Sequence, residues 1–217
     1  MLKRRVVVLL TFLDGVLFRT KKFIPDYRYT LKQVDLTSCD EAVCIHLGGD
    51  WDEFARSVRA VADHAGCPLA VGGGITEESR ALAVFRDLPA DKIVLGPGGW
   101  SLAKGLCDKL GRQSVVGGYT HGKDEGIDFG HFGEILLQSV ERDGSLQGFD
   151  LGLLGAWIAK VDCPLVIGSG CGSWRHMKEA FDLGADGCAT NNIFHFTGPS
   201  LGAFKRNLVE SGAEVRP

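Results

Sequence analysis

Two glycine turns carry the first chemical signal. The run Cys67-Pro68-Leu69-Ala70-Val71-Gly72-Gly73-Gly74 recurs 96 residues later as Cys163-Pro164-Leu165-Val166-Ile167-Gly168-Ser169-Gly170. Ala90-Asp91-Lys92 likewise recurs as Ala185-Asp186-Gly187. A strand that ends in successive glycines leaves backbone N–H groups open to an anion that side chains would block. In a barrel of parallel strands that anion is most often a phosphate. The same glycines also serve tight strand-to-helix turns that hold nothing. Among titratable groups, His121 lies in Thr120-His121-Gly122-Lys123-Asp124-Glu125-Gly126, a loop expected above the mouth of such a barrel, where it is either an acid or base near neutral pH or an unengaged loop histidine. His46 is expected to point into the mouth from a strand end, as a proton-transfer group or as a hydrogen-bonded interior residue. His46, His121 and His131 do not have metal-ligand spacing, and no metal or cofactor is expected. Cys171 follows a glycine turn near a helix start, which favours thiolate; the competing reading is a small filler of that turn.

These residues must be positioned by regular elements. Strands are read at 5–10, 42–47, 68–72, 92–95, 113–117, 134–138, 165–168 and 187–190. Helices are read at 50–65, 76–87, 98–110, 150–160, 174–183 and 201–211, with Asp50 and Thr76 as N-caps. Each duplicated stretch is a βαβ unit, so the pattern predicts an α/β protein, a (βα)8 barrel built from two half-barrels in one domain over residues 1–217. Two places break the alternation. Residues 24–40 are weakly patterned, so the first helix is short or irregular, with Asp14-Gly15 opening a hairpin flap. The glycine-rich stretch 118–133 leaves little room for a crossover helix.

Composition narrows the function. The chain has 217 residues, 45% of them apolar, enough for one sizeable core. A net charge of −3 argues against nucleic acid, which demands a basic face. No apolar run approaches the roughly 20 residues that span a bilayer. The basic and apolar start, residues 1–10, reads as a first strand rather than a signal peptide, because Asp14 closes the run and no small-residue cleavage site follows. Seven cysteines without a CxxC pair read as reduced thiols in the cytoplasm.

Val71-Gly72-Gly73-Gly74-Ile75, the stretch from Gly133-Glu134-Ile135-Leu136-Leu137-Gln138-Ser139 through Asp143-Gly144 to Phe149-Asp150, Gly184-Ala185-Asp186 and Asn192-Ile193-Phe194-His195-Phe196 together resemble the cyclase subunit of imidazole glycerol phosphate synthase. The resemblance implies a half-barrel-duplicated (βα)8 enzyme that takes ammonia from a glutaminase partner. It also implies two aspartates at the C-terminal mouth that act as acid and base on a ribosyl phosphate. Thr11 stands at the first of these positions, and a hydroxyl cannot replace a carboxylate as base. The second falls near Gly130 and His131, with Asp128 the nearest carboxylate, and a further mouth aspartate aligns with His46. His46, His121 and Asp128 are therefore the catalytic candidates.

The resemblance also implies phosphate sites. Gly96-Pro97 replaces a polar pair in the first half, and proline offers no N–H. Gly74, Asp143, Gly144, Ser169, Gly170, Asn191 and Asn192 remain as candidates for one phosphorylated small molecule. At the N-terminal mouth Arg5, Glu41, Lys92 and Glu134 occupy the four positions of the family's ammonia entrance, or form a structural salt-bridge cluster. The leucine-rich opening 9–15 and the basic flap 18–27 resemble paralogues associated with amidation of surface-polysaccharide sugars. Three readings follow. The first is a barrel that docks a glutaminase and relays or uses ammonia in amidation of a nucleotide-linked or surface-polysaccharide sugar, with a separate sugar amidotransferase and without cyclase activity. The second is an ammonia-dependent cyclase with altered acid and base residues, and the third a non-catalytic scaffold.

Overall fold

The computed structural model describes residues 3–191 and 200–216. Eight parallel strands close on themselves: β1 (Arg5–Leu13), β4 (Glu41–Gly48), β5 (Leu69–Gly72), β6 (Lys92–Leu95), β7 (Val115–His121), β8 (Glu134–Ser139), β9 (Leu165–Ile167) and β10 (Gly187–Thr190) pair in sequence order, and β10 returns to β1. This is the (βα)8 barrel that the alternation predicts. Both faces of each strand are buried, so the strands read as nearly unbroken apolar runs. Along β1, Val7 and Leu9 join Val43, Ala70, Val94, Val116, Leu136, Val166 and Ala189 in an inner cluster that fills the lumen. Val6, Val8, Leu10 and Phe12 belong to the outer cluster beneath the helices.

The duplication reappears as geometry. Leu69 N–H donates to Asp91 Oδ2 at 2.9 Å, and Leu165 N–H to Asp186 Oδ2 at 2.9 Å. The Asp91 and Asp186 amides answer by donating to the Leu69 and Leu165 carbonyls. At the top of the same strands Gly73 (φ 90°) and Gly74 (φ 67°) match Ser169 (φ 68°) and Gly170 (φ 92°). Both halves thus use one left-handed turn, although the second half places serine where glycine would be unstrained.

The outer layer is α1 (Trp51–His64), α2 (Glu78–Asp87), α3 (Ala103–Leu110), α4 (Leu151–Ile158), α5 (Trp174–Leu183) and α6 (Leu201–Glu210). Asp50 caps α1 as expected, accepting from the Asp52 and Glu53 amides. Thr76 does not cap α2: that helix starts at Glu78 with Glu77 at the cap position and no side-chain cap. The Thr76 methyl is packed instead beside Gly98, where it would lie 3.0 Å from an added Cβ. The helix expected at 98–110 opens as a 3-10 stretch, Pro97–Leu102, because Pro97, Gly98 and Gly99 support a regular α-turn poorly.

No α-helix joins β1 to β4. The chain forms the hairpin β2 (Val16–Lys21) and β3 (Ile24–Arg28), antiparallel to β1, then a single 3-10 turn at Leu31–Gln33. Between β7 and β8 there is again only a 3-10 turn, Phe129–His131. Both irregular places fall where the sequence loses its period.

Candidate functional site

At the C-terminal end the lumen opens into a cleft with room for only about 50 Å³ of water-sized space. Its floor is Leu9 and Ala189, and its walls carry Thr11, Gln138, Ser169, Gly170, Thr190 and Asn191. Alternation along the strands explains the set. Thr11 follows Val7 and Leu9 on the inner face of β1, and Gln138 follows Glu134 and Leu136 on the inner face of β8.

The hairpin roofs one side of this cleft. Thr11 Oγ1 donates to the Phe18 carbonyl, so the hydroxyl at the expected aspartate position is spent on the hairpin. Phe23 N–H donates to Asp143 Oδ2 at 2.9 Å, and Arg19 Nη2 donates to the Gly144 carbonyl at 3.0 Å. Gly144 has φ 73°, and an added Cβ would lie 2.7 Å from the Thr20 carbonyl oxygen. Only glycine permits that approach of the loop after β8 to the hairpin. Tyr29, buried so that its phenol is pushed above the ordinary value, donates to Asn191 Oδ1 at 2.9 Å and fixes that amide at the cleft edge.

Ser169 is the odd member. It is 8% exposed, adopts a left-handed backbone, and its hydroxyl has no hydrogen-bond partner among the described residues. An orphaned buried hydroxyl costs free energy, and non-glycine left-handed residues cluster where function maintains them. Cys171 lines the same cleft, but burial pushes its thiol up to about 12, so it stays protonated and fills space. The filler reading of Cys171 therefore prevails over the nucleophile.

The candidate residues separate into groups. Asp143, Gly144, Ser169, Gly170 and Asn191 come together at the cleft; Asn192 lies outside the described residues. Gly74 is elsewhere on the rim, beside His46 Nδ1. His46 does not point into the mouth. Its ring packs on Trp51 and Phe54 of α1, with centroids 5.3 and 5.0 Å away, because alternation places it with Phe12 on the helix side of the barrel. Burial lowers its pKa, and its Nε2 is buried without a partner among the described residues. His121 is the exposed last residue of β7, paired with Ser139, rather than a loop residue. Asp128 is exposed and accepts from the Gly130 amide at 3.1 Å. None of these three catalytic candidates lines the cleft. Among the described residues of the cleft Asp143 is the one carboxylate.

The sequence reading missed Gln138, Arg19 and Tyr29. Gln138 was recoverable from strand period, four residues after Glu134; Arg19 and Tyr29 reach the site through a hairpin whose docking no local pattern announces.

At the opposite end the four charged residues form a closed ring. Arg5 Nη1 lies 2.5 Å from Glu41 and Nη2 2.6 Å from Glu134, while Lys92 Nζ lies 2.9 Å from Glu41 and 3.2 Å from Glu134. Burial would lower the Arg5 pKa, but Glu134 and Glu41 outweigh it and raise it. Burial and the neighbouring Glu134 raise Glu41, against Lys92 and Arg5. Above the ring, between Glu41 and Glu134 and the apolar side chains of Val7, Val43, Ala70 and Val166, is a small space of about 10 Å³, room for one molecule the size of water.

A duplicated parallel barrel with a polar cleft at the strand C-termini and a charged ring at the strand N-termini defines a (βα)8 barrel protein with a built site at each end. The histidine biosynthesis protein family matches residues 127–198. Imidazole glycerol phosphate synthase subunit HisF of Streptococcus mutans is 30% identical, with 100% of both chains covered. The subunit HisF of Myxococcus xanthus is 30% identical over 100% of this chain and 99% of its own, and that of Pyrococcus furiosus 29% over the same shares. The chain belongs to the HisF family of imidazole glycerol phosphate synthase subunits.

Proposed function

We propose that this chain, folded as one domain over residues 1–217 in the cytoplasm, is the barrel half of a glutamine-dependent pair that supplies or uses ammonia without closing an imidazole ring. A glutaminase docks over the Arg5–Glu41–Lys92–Glu134 ring and releases ammonia there. The lumen above the ring is lined by apolar side chains, so an ammonium ion entering it would have to shed its hydration, whereas neutral ammonia would enter at little cost. The cleft holds a phosphorylated small molecule through Ser169, Gly170, Gly144 and Asn191, with backbone amides as the main donors. The acceptor is a nucleotide-linked or surface-polysaccharide sugar, amidated with a separate amidotransferase.

One observation carries the reading: the ring is complete and paired, while the described residues of the cleft include no pair of carboxylates to give and take protons. Thr11 is bonded to the Phe18 carbonyl and Asp143 to the Phe23 amide. The test is direct. Purified chain given ammonia and the family's ribosyl phosphate substrate is expected to release no aminoimidazole product, and to copurify with the glutaminase encoded nearest to it. Turnover would establish the cyclase with altered acid and base residues instead; neither turnover nor copurification would leave a scaffold.

A further inference from the structure

The seven cysteines are not alike. Cys44, Cys171 and Cys188 are buried and Cys107 and Cys163 stand singly, but Cys39 Sγ and Cys67 Sγ lie 3.3 Å apart. Cys39 precedes Glu41, the first residue of β4, by two positions; Cys67 precedes Leu69, the first residue of β5, by two. Both thiols therefore sit at the N-terminal rim, on neighbouring strands whose pairing begins at Ala42 and Leu69. The surroundings hold them there. Cys39 Sγ lies 3.3 Å from the Leu36 carbonyl, and Asp40 is fixed by the Val6 amide and by the Lys205 ammonium at 2.7 and 2.9 Å. Cys67 is half-buried and so within reach of a small solute.

We propose that Cys39 and Cys67 are a peroxide-sensitive thiol pair that closes to an intramolecular disulfide beside the ring residue Glu41. The Cys67 thiolate attacks one peroxide oxygen, the O–O bond breaks, and hydroxide leaves and is protonated to water, giving Cys67 sulfenic acid. Cys39 sulfur then attacks Cys67 sulfur; the S–O bond breaks and a second water leaves with the Cys39 proton. Two thiols and one hydrogen peroxide become one disulfide and two waters. A hydrogen bond from the Cys39 thiol lowers the Cys67 pKa, which favours Cys67 as the attacking group. The bond would staple the segments that start β4 and β5.

The duplication supplies an internal control. Cys163 occupies the position of Cys67 in the second copy, but Phe132 stands two residues before Glu134 where Cys39 stands two before Glu41. Cys163 has the same turn and no thiol opposite.

The experiment treats the intact chain with hydrogen peroxide, blocks remaining thiols with iodoacetamide and maps unreduced peptides by mass spectrometry. A Cys39–Cys67 link is expected, forming about tenfold faster than oxidation of Cys163 and reversed by a thiol reductant. The link should persist in Cys44→Ser and vanish in Cys39→Ser; fragment ions of the unsubstituted chain locate it should the variant not fold. Equal oxidation of Cys67 and Cys163 without a link, sulfinic acid on Cys67 alone, or a link that survives Cys39→Ser would each overturn the proposal.

Discussion

Ser169 is held in a conformation that glycine would occupy without cost, with a hydroxyl that bonds to nothing among the described residues. Both features destabilise the fold, and both vanish in Ser169→Gly. Left-handed strain in a non-glycine residue is worth about 1–2 kcal/mol, offset in part by the extra chain entropy of glycine. Ser169→Gly is therefore expected to raise stability by about 1 kcal/mol in urea denaturation while weakening inorganic phosphate binding to the cleft. Tighter phosphate binding by the variant would remove Ser169 from the anion site. His46 makes a second residue-scale test. Its pKa is lowered by burial against Trp51 and Phe54, so the unfolded chain binds the proton more readily than the folded one. Stability linked to His46 is present above the ordinary histidine value and is lost as pH falls through the lowered one. The drop in melting temperature from neutral pH to pH ~5 should be smaller in His46→Gln than in the native chain.

At the scale of elements, the hairpin and the loop after β8 form one unit. Gly144 approaches the Thr20 carbonyl and Lys21 more closely than any side chain allows, at φ 73°. Gly144→Val should cost about 2–3 kcal/mol and raise amide exchange in residues 16–28 well above that in β4 and β5. If exchange rises equally in all strands, the loop is not what holds the hairpin. The barrel itself was legible in the sequence because its strands are buried on both faces and its glycine turns repeat, a local signal copied twice. The ring was legible through the resemblance, since Arg5, Glu41, Lys92 and Glu134 sit at strand starts. The cleft was only partly legible. His46 misled because strand period, not nearness to a strand end, decides which face a residue takes; Phe12 opposite it already lay on the outer face. Thr76 misled because packing on Gly98 outweighed an N-cap worth about 1 kcal/mol. The docking of Arg19 and Tyr29 rests on contacts more than a hundred residues apart in sequence, which no local period encodes.

For the molecule as a whole, the ring ties four strands at one end through two anions and two cations. Each charge is mostly buried, with side-chain exposures from 4% to 18%, so each depends on its neighbours for compensation. Removing Arg5 leaves Glu41 and Glu134 sharing Lys92 alone. Breaking a buried ion pair from one side costs on the order of 3–5 kcal/mol, and the partial exposure of Arg5 places Arg5→Ala at the lower end of that range. The pH dependence separates this electrostatic cost from lost packing. Glu41 already has a raised pKa in the folded state, and loss of Arg5 raises it further. The folded chain then binds more protons than the unfolded chain between the ordinary glutamate value and the raised one, so its stability falls as pH rises through that window. The deficit of Arg5→Ala relative to the native chain should accordingly be greatest at neutral pH and shrink as acid protonates Glu41. Denaturant midpoints at neutral pH and at pH ~5 measure it. A deficit that is the same at both values would mean that the aliphatic stem of Arg5, rather than its charge, closes the floor of the barrel.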